Sequence, residues 1–368
     1  MIKVGSDFSG VGAFNQALMR LGIKYDEVFA CDMDKFARET FIHNYGEPKY
    51  YPKDVYEREI PKESLDIYMT SPPCQAFSLA GKRLGKDDKR GLLFFNSHEF
   101  IKKNKPRYFI FENVKGLLSD DNGNTFKEWV NMLGGKSVNG LPVLFPYEDS
   151  VPYHIYYKVM NAKKHGVPQN RQRVFIIGIR YDQDNNFRWA KEEHLTKRLK
   201  NVLENEADEK YFLSETIING FLKHKERHEE KQTGFKWQPK NENDTANTLR
   251  ANAALCPTDN TIEIKSATKK LNDNQQNKLD KLKVDPHVSG TLTEAIGRGG
   301  SSSEYLSMLK KVKKNTGNMR RLTPRECFRL MDFPDTFTWT CSDSQAYKQA
   351  GNSIVVRCLE LIIKQFNL

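Results

Sequence analysis

Several absences narrow what this chain can be. No apolar run in its 368 residues approaches the roughly eighteen needed to cross a bilayer. Residues 1–7 have neither the basic nor the apolar region of a signal peptide, so a cytoplasmic protein without membrane association is expected. Cysteine is sparse and unpaired: Cys31, Cys74, Cys256, Cys327, Cys341 and Cys358 form no C-x-x-C pair. Neither a zinc site nor a disulfide framework is supported, no metal is called for, and the usage fits a reducing compartment. Negative charge is in deficit too. The formal charge is +11 and the pI about 9.1, which favours a polyanionic partner but leaves ribosomes, membranes and nucleic acid open. Its distribution says more: residues 186–323 hold 26 Lys and Arg against 19 Asp and Glu, which is +7 of the total. A basic lobe beside a catalytic lobe suits a DNA clamp, because neutralising phosphates supplies most non-specific affinity. The length allows one sizeable core and a second, smaller lobe.

What is present organises around Ser71, Pro72, Pro73, Cys74, Gln75, Ala76, Phe77 and Ser78. An apolar run (Leu65, Ile67, Tyr68, Met69) reads as a buried strand, and two prolines end it and present Cys74 at its carboxyl end. Open α/β sheets place their chemistry there. A thiolate can add to an electron-poor carbon such as C6 of a pyrimidine, although an arbitrary cysteine is most often a small buried hydrophobe. Upstream, Ile2 to Asp7 alternate toward a strand, and Phe8, Ser9, Gly10, Val11 and Gly12 form a tight turn before a helical stretch over 13–21. Glycines there admit a ligand close to the backbone. Asp32 ends the next strand, twenty residues after Gly12. An acid at that distance commonly binds ribose hydroxyls, and it also reads as a cap for a helix beginning near Lys35.

Further along, Gly81 to Gly91 is a basic, glycine-punctuated loop, and Leu92 to Phe95 start a helix against the sheet. Tyr108, Phe109, Ile110 and Phe111 make a strand ending in Glu112, Asn113 and Val114. Desolvation after that apolar run should raise the Glu112 pKa and let the carboxyl carry a proton near neutrality. Residues 134–153 read as a Gly-, Pro- and Asn-rich insertion without an assigned role. In the stretch 167–173 the alternation of QNRQR points Arg171 and Arg173 to one side, where guanidinium groups fork well onto carbonyl or phosphate oxygens. From Asn186 the sheet pattern gives way to charged helix and turn signals, with 266–283 either an exposed helix or a flexible connector.

PPCQAFS, together with DFSGVGAF, the ENV and QNRQR blocks, RRLTPRECFRLMDFP and QAYKQAGNSIVV, closely resembles the DNA (cytosine-5) methyltransferases of bacteria and phages, the restriction-modification type. Matching blocks run in that family's order from Asp7 to Val356. The resemblance implies a doubly wound, Rossmann-like α/β sheet that binds S-adenosyl-L-methionine, with a smaller DNA-recognition domain. The implied division is 1–185 catalytic and cofactor-binding, 186–323 target recognition, 324–346 hinge, and 347–368 the return to the catalytic domain. It implies Cys74 as nucleophile and Glu112 at cytosine N3. Arg173 would reach cytosine O2 or the adjoining phosphate, with Arg171 helping to position the loop.

By the same resemblance Phe8, Gly10, Val11 and Gly12 line the cofactor and Asp32 takes its ribose. Met33 packs near the adenine, Asp54 accepts from its amino group, and Val55, Pro73, Leu93, Asn352 and Ser353 complete the pocket. Gln75, Lys82, Arg83, Thr291, Leu292 and Arg298 are the implied DNA contacts. Thr291 and Leu292 are preferred over the similar Thr248 and Leu249 as the mark of the recognition region. Double-stranded DNA is the implied partner, a functional pairing with a restriction endonuclease is open, and a monomer is expected. The rivals are RNA methylation on the same scaffold, whose tRNA-directed members carry a Cys-Phe-Thr motif absent after Lys115 here, and a catalytically silent DNA-binding regulator.

Overall fold

The computed structural model describes residues 1–73, 92–183, 185–231, 237–251, 260–264, 268–270 and 319–368. Its first half runs β1 (Ile2–Asp7), α1 (Ala13–Arg20), β2 (Tyr25–Cys31), α2 (Lys35–Tyr45), β3 (Ile67–Thr70), α3 (Leu92–Asn104), β4 (Tyr108–Val114) and α4 (Asn124–Leu133). Then come β5 (Ser137–Val138), β6 (Leu141–Pro142), β7 (Tyr153–Asn161), β8 (Gln169–Asn170) and β9 (Gln172–Arg180). The remainder is β10 (Glu206–Asp208), α5 (Glu215–Glu230), β11 (Ala246–Asn247), β12 (Thr261–Glu263), β13 (Thr268–Lys270), β14 (Met319–Arg321), α6 (Pro324–Leu330), α7 (Asp343–Asn352) and α8 (Val356–Ile363).

One eight-stranded sheet has the order β2-β1-β3-β4-β9-β7-β5-β6. The strands β2, β1, β3 and β4 are mutually parallel, whereas β9 lies antiparallel to both β4 and β7. Strands buried on both faces should be apolar throughout, and β3 (IYMT) has all its residues buried. Pleating then sorts side chains to two layers. Ile67, Met69, Ile110 and Ile177 meet Ala17, Leu18, Leu359 and Ile363 of α1 and α8 on one face. Tyr68, Phe109 and Phe111 meet Phe94, Phe100 and Trp129 of α3 and α4 on the other. The chain leaves β1 for β2 on one side and returns to β3 on the other, so the switch point of the sheet lies between the carboxyl ends of β1 and β3.

Within 134–153, β5 and β6 lengthen the sheet at its edge. Within 266–283 the described residues form β13, paired in parallel with β10, rather than a helix. Residues 324–346 include α6, with Cys327, Phe328, Leu330 and Met331 buried in the same core as Val4 of β1. Helix α6 starts where Thr323 and Glu326 form a capping box around Pro324. Arg320 holds the Glu326 carboxylate by both oxygens at 2.7 and 2.6 Å in full burial, which fastens this block in place.

Candidate active site

The turn after β1 is held in a conformation that L residues rarely adopt. Phe8 has φ 57°, and Gly10 and Gly12 follow at 53° and 82°, so Phe8 stores local strain that its surroundings must fix. Two contacts do so. Ser9 donates its N–H to the Cys31 carbonyl at 3.0 Å, and Gly10 donates to Asp32 Oδ2 at 2.8 Å. The other Asp32 oxygen accepts from the Asp34 N–H at 2.8 Å. Burial raises the Asp32 pKa against the pull of these two N–H groups. Asp32 thus staples the turn after β1 to the turn after β2. It is not the cap of α2: Asp34 is, accepting from the N–H groups of Phe36 and Ala37. At Gly12 a Cβ would lie 2.2 Å from the Tyr45 ring, so both close approach and positive φ require glycine.

Beneath this turn lies a buried ionic node. Asp7, the last residue of β1, accepts from Arg58 Nε at 2.9 Å and from the Tyr68 hydroxyl at 2.6 Å. The Arg58 and Asp7 side chains are 3% and 0% exposed, and the guanidinium lies 4.6 Å from the Phe100 ring centroid. Burial keeps the Asp7 carboxyl above its usual range although Arg58 and Tyr68 oppose it. The node joins the turn after β1, the segment carrying Asp54 and Val55, and strand β3. Sequence reasoning missed it. An acid closing the strand was the available signal, but its partner stands 51 residues away.

A cleft opens at the switch point, lined by Ser6, Phe8, Ser9, Gly10, Val11, Ala13, Phe14, Met69, Ser71, Asn352, Ser353 and Ile354. Ser6 is 1% exposed, and its buried Oγ has no hydrogen-bond partner among the described residues. A polar ligand in the cleft would satisfy that hydroxyl.

Beside the cleft, β3 delivers the chain to Pro73, the residue before Cys74. The Asn113 amide donates to the Pro72 carbonyl at 3.1 Å in full burial, so the ENV strand fixes the end of the cysteine strand. Glu112 is 7% exposed. The register pairs Glu112 with Phe175 and Val114 with Arg173, which places Glu112 and Arg173 diagonally on one face. Arg173 Nε lies 3.0 Å from Glu112 Oε1. Burial raises the Glu112 pKa, with Arg173 and then Arg171 pulling it back. The site therefore holds a desolvated carboxyl that keeps its proton more tightly than an ordinary glutamate, beside a fixed cation.

Comparison with known proteins decides the family. A model of the C-5 cytosine-specific DNA methylases matches residues 2–367. The chain belongs to that family. It is a DNA cytosine-5 methyltransferase, and S-adenosylmethionine-dependent transfer is the chemistry its family implies. It is 31% identical to the orphan methyltransferase M.SPRI of Bacillus phage SPR over 99% of this chain and 97% of that one. It is 33% identical to the type II methyltransferase M.HpaII of Haemophilus parainfluenzae, covering 96% and 86%. In fold it resembles a solved Spodoptera frugiperda DNMT2 mutant at TM-score 0.67 and 18% identity, over 99% of both chains.

In this methylase the cleft brings together Phe8, Gly10, Val11, Asn352 and Ser353. Other expected cofactor residues do not line it. Gly12 packs on Tyr45, and Met33 stands 82% exposed. Asp54 accepts from the Tyr56 N–H at 2.9 Å, Val55 is buried beside Phe29 in the aromatic layer, Pro73 is exposed, and Leu93 is half-buried. Cys74, Gln75, Lys82, Arg83, Thr291, Leu292 and Arg298 lie outside the described residues.

Arg171, expected beside Arg173 as an aid in positioning the loop, is 3% exposed and its Nη atoms donate to the carbonyls of Leu249, Gly351 and Ser353 at 2.7, 2.9 and 2.7 Å. It positions backbone, because those carbonyls converge on it. No group of three or more His, Cys, Asp and Glu side chains among the described residues could hold a metal, and no helix among them is long and apolar enough to cross a membrane.

Proposed function

We propose that the enzyme methylates a cytosine swung out of a specific double-stranded DNA sequence, through a covalent bond between Cys74 and C6. Stacked bases hide C5 and C6, so the target must leave the helix. The observation that carries the reading is the carboxyl end of β4. The buried Glu112 carboxyl faces Arg173 there, while Asn113 holds the carbonyl of Pro72, two residues before Cys74. In this reading Cys74 thiolate adds to C6, Glu112 gives a proton to N3, and Arg173 meets O2 or the adjoining phosphate. Electron density moves to C5, which then takes the methyl group. A base removes the C5 proton, expulsion of the Cys74 thiolate restores the ring, and N3 returns its proton to Glu112.

S-adenosylmethionine, when bound, supplies a methyl group made electrophilic by its sulfonium. The cleft fits it: Ser6, Ser9 and Ser353 offer hydroxyls and Phe8 an aromatic face, while Asp32 stands over the turn that binds it. Asp32 is assigned to the ribose, Asp54 to the adenine amino group, and Met33, Val55, Pro73 and Leu93 to the margins of the pocket. Residues 186–323 are assigned to reading the duplex, with Thr291, Leu292 and Arg298 in a groove and Gln75, Lys82 and Arg83 closing over the flipped base. A cytoplasmic monomer completes the reading.

Duplexes bearing 5-fluorocytosine at the methylated site test it. With S-adenosylmethionine the wild type should form a denaturant-resistant complex, because fluorine cannot leave as the C5 proton does, and Cys74→Ser should not. Ready turnover by Cys74→Ser, or no trapped wild-type complex, overturns the covalent step.

A further inference from the structure

The segment that joins the recognition region to the catalytic sheet is stitched directly behind the cofactor cleft. Strand β11 pairs in parallel with β8, Ala246 opposite Gln169 and Asn247 opposite Asn170. The chain then continues along the sheet. The Thr248 hydroxyl donates to the Asn170 carbonyl at 2.6 Å, and the Leu249 N–H donates to Gln169 Oε1 at 3.1 Å. Leu249 is buried. Its carbonyl is one of the three that Arg171 holds, and the other two, Gly351 and Ser353, flank Asn352 in the cleft wall. One buried guanidinium therefore ties the recognition segment to both sides of a cofactor-facing residue.

Gly351 makes the seam tighter still. A Cβ there would fall 2.4 Å from the Arg250 carbonyl carbon and oxygen and 2.5 Å from the Ala251 nitrogen. Gly351 lies within α7, whose backbone alanine adopts readily. The glycine is required because another backbone passes over it. A shift of 246–251 must then move Gly351 and, through Arg171, Ser353, or leave a buried guanidinium and carbonyls unpaired.

We propose that Arg171, Gly351 and segment 246–251 form a positioning device that sets the Asn352 and Ser353 wall of the cofactor cleft, so that seating of the recognition region determines cofactor affinity. The inference rests on the methyltransferase reading and adds residues that reach neither cofactor nor base. Binding linkage follows: if the seam is better ordered with duplex bound, duplex tightens cofactor binding and cofactor tightens duplex binding by the same factor. Burial, then Arg173, push the Arg171 pKa down to about 9, so the clamp is charged at neutral pH.

The test is calorimetric titration of S-adenosylhomocysteine into wild type, Gly351→Ala and Thr248→Val, each with and without a saturating duplex carrying the site mapped by bisulfite sequencing. Gly351→Ala forces the backbones apart, and Thr248→Val removes one stitch at nearly constant volume. In the wild type the duplex should tighten binding by about fivefold or more. In Gly351→Ala, binding without duplex should weaken about tenfold and the duplex effect should fall toward one, with Thr248→Val shifted the same way by a smaller factor. Variants that are folded by circular dichroism yet keep wild-type affinities in both conditions overturn the proposal, as does a wild type on which the duplex has no effect. If Gly351→Ala does not fold, Thr248→Val decides by the same two readings. Tritium transfer from labelled S-adenosylmethionine to DNA by the wild type, run in parallel, separates the readings: a seam-dependent affinity without transfer would overturn methylation and keep the seam.

Discussion

The mouth of the active site and the seam behind it are built from the same five residues, 169–173, and they use arginine in opposite ways. At the mouth, Arg173 is 17% exposed and pairs with the carboxyl of Glu112. In the seam, Arg171 is 3% exposed and gathers three backbone carbonyls from chain segments 78 to 182 residues away. A cation beside one carboxyl leaves donors for a substrate, whereas a cation inside a ring of carbonyls has become part of the scaffold. The acceptors an arginine meets decide its role.

Substitutions on the two sides should separate chemistry from architecture. The largest effect is expected at the mouth, where Glu112→Gln should lower the single-turnover rate by roughly 10²–10⁴-fold with little change in the urea midpoint. A loss below about threefold would remove Glu112 from proton transfer. Because burial raises the Glu112 pKa, its protonated form persists at higher pH than an ordinary carboxyl, and wild-type turnover should fall as pH rises through that pKa. Next comes the node under the turn after β1. Asp7→Leu leaves Arg58 buried and unpaired, so it should cost about 3–5 kcal/mol, and adding Arg58→Met should recover at least about 1 kcal/mol. Urea unfolding of the single and double variants checks this, and a double variant no more stable than the single would show that the pair is not the source of the loss.

In the seam, Arg171→Met should cost about 2–3 kcal/mol through unpaired carbonyls. A cost under about 0.5 kcal/mol in urea unfolding would erase the contrast with Arg173. A further test lies on β2. Burial pushes the Glu27 carboxyl up to about 8, with its Oε1 unpartnered among the described residues. The folded state therefore holds the proton more tightly than the unfolded one. That contribution is complete below the unfolded carboxylate pKa and is lost as pH rises through about 8, at a slope of at most about 1.4 kcal/mol per pH unit. Thermal melts across that range should show the decline, and Glu27→Gln should flatten it.

Much of the fold could be read from local pattern. The strands ending at Asp7, Thr70 and Val114, the glycine turn between β1 and α1, and the capping box at Thr323 are short-range features, because strand pleat, turn dihedrals and helix caps are set within a few residues. The motif blocks determined the family for the same reason, since each keeps its own spacing. Which acid caps α2 was also local, yet Asp32 and Asp34 are both carboxylates near the helix start, and only backbone direction distinguished them.

The sequence by itself thus determined the sheet's apolar strands, the order of the blocks and the kind of chemistry they carry. Tertiary structure alone decided that Asp7 meets Arg58, that Arg171 turns inward while Arg173 faces the mouth, and that Gly351 is glycine because residues 250 and 251 cross it. The reason is physical: a buried polar group must find its partner wherever the chain brings one, and these partners are separated by tens to hundreds of residues that no periodicity spans.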